Sequence, residues 1–383
     1  MLAAAIPALW IALQSLPLGF LSHPIWKSTA VALHQPIEGS ISIDPAASLL
    51  TLGFFLSLIA IAFVTAAVAV DRQRAQTLLL ALMFASVTIS LIVIVQYIFS
   101  LATWRIFSVR AVDCVSLGTI VAATNCICAI ERHPGHAGAR TRWSMRPALI
   151  LSTAALAICG IACALSANRA IAFATVYGVF CLLCHWIVRR FALGLWSIGG
   201  LTVGALGVAV LLVAAYPTHP DVSTQLAYAQ DSQPSVLALN QRILEDSPFV
   251  GTGAGTFAAL VPIYRQINDA QSIETAATTA AQQSVELGKP MFSLIVIAPV
   301  AFLIILLRAS LRRGRDSFYS AMGGSCLLTL LLLVFIDASS LATASGLIIA
   351  AILGLAFAQS KSRGGRTTEL LKAVAAAVAD VAG

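Results

Sequence analysis

Charge is what this chain has least of. Of its 383 residues only 10% are Asp, Glu, Lys or Arg, against 59% hydrophobic, where a soluble domain carries about 25% charged residues. A water-soluble core of this size is excluded. Histidine is also scarce, with six in all, and none of His23, His34 and His219 has a metal-ligand partner at useful spacing. No metal site and no cofactor are expected. Cysteine is missing from the long polar stretch; all eight lie in or beside apolar runs, which excludes a disulfide framework. Cys181-Leu-Leu-Cys184-His185 has the spacing of covalent haem attachment. It ends an apolar run followed by Arg189 and Arg190, which places it on the cytoplasmic side, where such attachment does not occur. The first apolar run lacks a basic n-region, so a cleaved signal peptide is not expected. No Gly-Lys-Ser/Thr follows the glycine-rich stretch, so it is not a P-loop.

What remains is grease. Mean hydropathy is +0.92, and apolar runs of about 18 or more residues recur, each long enough to cross a bilayer. Backbone in hydrocarbon must satisfy itself internally, so helices are the expected form. The fold class is therefore all-α: a polytopic helical membrane protein. Ten candidate spans are read at 2–21, 49–70, 77–100, 111–130, 148–166, 170–188, 192–215, 291–307, 319–336 and 341–358. Pro7, Gln14 and Pro17 interrupt the first. The chain divides into seven spans over 1–215, a long loop over 216–290, three spans over 291–360, and a tail over 361–383 that reads as a weakly amphipathic helix. There is no internal repeat.

The net charge of +7 is a topology signal rather than a nucleic-acid signal. With the N-terminus cytoplasmic, sixteen of the 23 Lys and Arg fall on inside segments, among them Arg72, Arg74, Arg308 and Arg312. Basic residues gather on the cytoplasmic side. Both termini then face the cytoplasm, and the long loop is periplasmic.

That loop carries the candidate chemistry. An excursion of this length between membrane helices is uncommon without a task. Gln225 to Ala229, Val236 to Glu245 and residues 274–287 read helical; Pro248 stops the second, and Gly288 and Pro290 stop the third. Gly251, Gly253 and Gly255 permit turns that other residues adopt with difficulty. The stretch Gly251 to Phe257 is either a tight turn at the membrane interface or a backbone nest for an anionic head group. Arg242 either pairs with Glu245 or Asp246 on its own helix or is held for a phosphate, to which guanidinium is well matched. Arg169, in a minimal hairpin between two spans, either snorkels or faces a lipid-linked substrate. Arg265 follows the glycine stretch. Among the histidines, His219 is the first candidate for acid–base work because of its loop. Asp113 and Asp337, at outer ends of spans, cap helices or pair with the arginines.

In this order the pieces resemble the O-antigen ligase and polymerase superfamily of the bacterial inner membrane. The resemblance rests on Gln14 to Leu18, Ser42-Ile43-Asp44-Pro45, Ser166 to Ala170, and Arg242 with Asp246 to Phe257. Tyr264-Arg265, Val285 to Gly288 and Ile336-Asp337 complete it. The Pro248 to Phe257 run with its upstream arginine is the most specific part. The resemblance implies a GT-C-like, metal-independent transferase that polymerises or ligates undecaprenyl-diphosphate-linked oligosaccharide on the periplasmic side, for exopolysaccharide or O-antigen. Arg169, Arg242 and Arg265 would hold the donor diphosphate. Membrane lipid and other polysaccharide-assembly proteins are the implied partners, and nucleic acid is not. The chain departs from the pattern at Ala276 to Ala280, where the family usually carries a histidine taken as the acceptor base. Threonine cannot replace imidazole as a base near neutral pH. A non-catalytic assembly component and a lipid-linked glycan transporter therefore stay open as alternatives.

Overall fold

The computed structural model describes residues 2–99, 112–131, 139–166, 169–191, 200, 223–227, 229, 234–264, 276–312, 317–338 and 343–360. Among them are thirteen α-helices and no strand. In chain order these are α1 (Leu2–Ser15), α2 (Pro24–Leu33), α3 (Pro45–Val68), α4 (Arg72–Phe99), α5 (Val112–Glu131), α6 (Ala139–Leu165) and α7 (Arg169–Arg190). After them come α8 (Pro234–Asp246), α9 (Phe257–Tyr264), α10 (Thr279–Leu287), α11 (Lys289–Arg312), α12 (Ser317–Ile336) and α13 (Thr343–Ser360).

Eight of these, α3 to α7 and α11 to α13, are long and apolar enough to span a membrane. They match eight of the ten spans read from hydropathy. The span expected at 192–215 lies outside the described residues, as does the tail. The span expected at 2–21 is corrected. α1 keeps Pro7 inside the helix but stops at Ser15, and fourteen residues at about 1.5 Å each reach about 21 Å, short of the ~30 Å hydrocarbon core. A 3-10 turn at Gly19–Leu21 and the amphiphilic α2 follow instead.

Helix α5 is the axis of the bundle. Every residue from Asp113 to Cys128 is buried, because α4, α6, α7, α12 and α13 surround it. Its Cys, Ser, Gly, Ala and Thr side chains explain the position: without a hydrophobic drive between helices in lipid, small residues allow close approach and hydroxyls bridge. Thr175 of α7 donates to Ser116 Oγ of α5 at 2.9 Å, and Ser90 of α4 reaches Cys159 Sγ of α6 at 3.3 Å. The limit is reached where α13 crosses α3. A Cβ on Gly354 would overlap Thr65 Oγ1 and the Ala62 carbonyl. By contrast Ser48 is the sole buried residue of α3, and its Leu49, Leu50, Leu56 and Phe63 stand exposed on the outside of the bundle.

The helix ends sort into two faces. At one, the Gln359 amide donates to the Ala69 carbonyl, joining the ends of α13 and α3. Arg72, Arg74, Arg190, Arg308 and Arg312 lie at the ends of helices that terminate on this face. At the other, Asp337 just past α12 accepts from Thr279 N at 2.9 Å and Thr279 Oγ1 at 2.8 Å. The start of α7 belongs there too, since Ile171 and Ala174 pack on Leu333. Helices α8, α9 and α10 gather on this second face with small cores of their own, built on Leu239, Ile243, Phe257, Leu260 and Val285.

Candidate functional site

The second face is organised by the glycine turn. Pro248 ends α8 at Asp246, because the residue before proline is driven out of helical conformation. The chain then turns through positive φ at Gly251 (84°), Gly253 (109°) and Gly255 (77°), and again at Gly288 (85°). Only glycine takes these values without strain. There is also no room for a side chain: a Cβ on Gly251 would overlap the Glu286 carbonyl, and one on Gly288 the Phe249 carbonyl. The two strands of chain lie back to back. Thr252 N donates to Val285 O at 3.0 Å and Gly253 N to Glu286 O at 3.0 Å.

Glu286 completes this knot. Its side chain is 2% exposed. One carboxylate oxygen accepts from Gly255 N at 2.9 Å. The other accepts from Phe257 N at 3.3 Å and from Gln282 Nε2 at 2.9 Å. Glu286 thus caps the start of α9, where backbone N–H groups lack helical acceptors. Burial pushes its pKa up, and the three donors partly offset that. The nest that the alternative reading offers to an external anion is filled by the chain's own carboxylate. Of the two readings of the glycine stretch, the structure shows the tight turn.

The N-terminal segment is tied to the same knot. Gln14 donates both amide hydrogens, to Val250 O and Glu286 O, each at 3.1 Å. Trp10 Nε1 donates to Leu287 O at 3.0 Å, and Ile43 N to Thr252 O at 2.9 Å. Ser48 Oγ donates to Ala254 O at 2.9 Å. Asp44 caps α3 by accepting from Ala46 N and Ala47 N. Residues from Gln14, Ser42 to Pro45, Pro248 to Phe257 and Val285 to Gly288 therefore converge on one place.

Beside the knot is a cavity of about 180 Å³, bounded by His23, Ile25, Ile43, Ile243, Asp246, Ser247, Pro248, Thr252, Leu260, Ile263 and Tyr264. The Tyr264 hydroxyl is within hydrogen-bonding reach of Asp246; burial and then this carboxylate raise its pKa. His23 caps α2, its Nδ1 accepting from Ile25 N at 3.3 Å. That bond assigns the proton of the neutral ring to Nε2. Burial lowers the His23 pKa, and the helix N-terminus acts in the same direction. Arg242 is exposed on α8, one turn before Asp246 and on the same face. Among the described residues Arg242 has no carboxylate partner: Glu245 accepts from Gln241, and Asp246 lies against Tyr264.

The other expected site residues fall as follows. Arg265 and His219 lie outside the described residues. Arg169 opens α7 on the second face, and its side chain lies outside the described part. The helix expected over 274–287 begins only at Thr279. Thr278 caps it, accepting from Ala281 N at 3.1 Å and donating to Gln225 O at 2.7 Å. Gln225 itself sits in a turn rather than the expected helix. Ala276 to Ala280 is thus a suture, with both threonine hydroxyls spent on carbonyls. Asp337 engages Thr279 through its main-chain carbonyl. His23 stood behind His219 as a candidate for acid–base work, and Glu286 and Tyr264 lay in segments of the resemblance without a role of their own. Glu286 carried a signal, the one carboxylate of its helix, just before the Gly288 stop; the grouping of His23 with Tyr264 carried none. No protein-family model and no curated protein matches the chain.

Proposed function

We propose that this protein transfers glycan from an undecaprenyl-diphosphate-type donor to a sugar hydroxyl at the second face, as in the O-antigen ligase and polymerase superfamily. The observation that carries this reading is the meeting of the resembling segments in one knot, with Arg242 and Asp246 one turn apart beside a cavity. On this reading the basic helix ends mark the opposite face as cytoplasmic by the positive-inside tendency, so the site, and with it the N-terminal helix α1 that is bonded to the knot and too short to cross, faces the periplasm of an inner-membrane protein. Arg242, with Arg169 and Arg265 as expected partners, neutralises the diphosphate. In the transfer step the acceptor oxygen bonds to the anomeric carbon, and the bond from that carbon to the phosphate oxygen breaks. The diphosphate leaves with the electron pair, and the hydroxyl proton passes to Asp246. A carboxylate in contact with the hydroxyl serves as the base. Fixed guanidinium charge aimed at the leaving group stabilises the transition state.

Alanine at Arg242 is expected to shorten or abolish the polymer sized from cells, with lysine restoring only part of it, since a point charge does not reproduce bidentate contact. Unchanged polymer length and yield in both variants would remove the proposal. A second reading, a non-catalytic component of an assembly complex, is favoured by the structural use of Thr278 and Thr279 where the family has its histidine. Purified protein that binds the lipid-linked donor and never turns it over would select it.

A further inference from the structure

We infer that the segment from Phe249 to Tyr264 is seated in the lipid of the second-face leaflet. Phe249 and the outer side of α9 meet the bilayer at the boundary between headgroups and acyl chains. The inference stands apart from the transfer reading.

Depth comes first. The twenty-four residues of α3 rise about 36 Å at 1.5 Å each, about 6 Å more than the hydrocarbon core. Thr51, about 9 Å from the start of α3, therefore lies inside that core. The glycine turn reaches the same level. Ser48 Oγ donates to the Ala254 carbonyl at 2.9 Å, and a Cβ on Gly255 would overlap Thr51 Oγ1. Helix α9 starts just after this point, at Phe257. Two tryptophans mark the boundary. Trp10 and Trp26 are half-buried and donate their indole N–H groups to Leu287 O and Ser42 O, both at 3.0 Å. Tryptophan gathers at membrane–water interfaces, where an apolar ring and a polar N–H are both satisfied.

The chemistry of the segment agrees. From Phe249 to Tyr264 there is no charged residue. Helix α9 is apolar on every side. Phe257, Leu260 and Val261 pack into the core of the loop helices, while Ala258, Ala259, Pro262 and Ile263 are exposed on the outside. A helix that is hydrophobic all round needs apolar surroundings all round. The loop core supplies one side, and lipid continuous with that over Leu49 and Leu50 of α3 supplies the other. Phe249 is 70% exposed and Phe20 83%, and the Gln14 bond to Val250 O holds their two segments together. Exposed apolar patches of this kind mark sites of interaction. A protein partner would find no hydrogen-bonding side chain among Ala258, Ala259, Pro262 and Ile263, whereas protein interfaces carry such bonds throughout. Lipid asks for none, and interfacial helices sink their apolar face to this depth. Ile263 also borders the cavity, so the seat puts the rim of that cavity at the bilayer surface.

The test uses the full chain in nanodiscs, spin-labelled at Ile263→Cys or Phe249→Cys, with Glu245→Cys on α8 as the aqueous reference. All three positions are exposed, so the substitutions spare the core. The unsubstituted protein, whose eight cysteines are all buried, gives the background. Power saturation compares collisions with oxygen, which concentrates in lipid, against those with a water-soluble nickel chelate. The ratio of oxygen to nickel accessibility is expected to be several-fold higher at 263 and at 249 than at 245. A ratio at either position equal to that at 245 would place the segment in water and overturn the inference. Protection from both reagents would mean that a second copy or another protein surface covers this face, and would overturn it as well.

Discussion

Removing the Glu286 carboxylate should open the glycine knot. In Glu286→Ala the amides of Gly255 and Phe257 lose their acceptor, and so does the Gln282 side chain, which is half-buried and can turn to water. A buried donor left unsatisfied costs about 1–3 kcal/mol. The 3.3 Å bond to Phe257 is the weaker of the two, so the expected local loss is about 2–4 kcal/mol. Hydrogen exchange on the full chain in nanodiscs reads this directly, because local opening free energy sets amide protection. Exchange over 252–257 should accelerate roughly 30- to 1,000-fold. Glu286→Gln keeps one acceptor oxygen and removes a buried charge, so it should fall between wild type and alanine. The two also differ in pH response. The folded pKa is raised, chiefly by burial. Glu286 therefore contributes stability that is full below the unfolded carboxylate value of about 4.3 and is lost as pH rises through the folded pKa. Knot protection in the wild type should fall across that window, while Glu286→Gln should be flat. Alanine with wild-type protection over 252–257 would refute the account of the knot.

Further outcomes follow from the same geometry. Gly251→Ala forces a side chain into positive φ and against the Glu286 carbonyl, and should raise exchange over 250–257 by an amount equivalent to at least about 1–3 kcal/mol. Gln14→Leu strips the Val250 and Glu286 carbonyls of a shared donor and should lower the melting temperature in detergent, with the loss concentrated in the loop by exchange. His23, with its pKa lowered by burial, should titrate by NMR below the usual ~6.5. Its contribution to stability is present above that value and is lost as pH falls through the folded pKa.

The membrane part of the fold is legible in the residues because hydropathy is a local property. Leu49 to Val70 or Leu327 to Ile336 need no partner to announce a helix in lipid. The glycine turn is legible for the same reason, since Pro248 and alternating glycines act on their own backbone. The knot was not readable in this way. Glu286 meets amides some thirty residues earlier in the chain, and Gln14 meets a carbonyl 272 residues later. No periodicity encodes such pairings. Motif order hinted that the segments belong together without showing how. Helix α1 was over-extended because Leu16, Leu18 and Phe20 look like membrane residues, whereas Pro17 and Gly19 end the helix. α2 and α9 escaped notice because each is short and takes its stability from docking, as with Trp26 Nε1 on the Ser42 carbonyl at 3.0 Å.

The distance along the chain between the partners of Gln14 has a consequence for synthesis. A ribosome releases helix α1 long before Val250, Glu286 and Leu287 exist. Until then Trp10 and Gln14 hold donors for which no acceptor has been translated. The loop assembles as one of the last events of biogenesis, after most of the bundle has been inserted. A nascent chain arrested before Thr279 should therefore keep its spans yet leave Gln14 open to solvent, and quality-control proteases would meet it in that state.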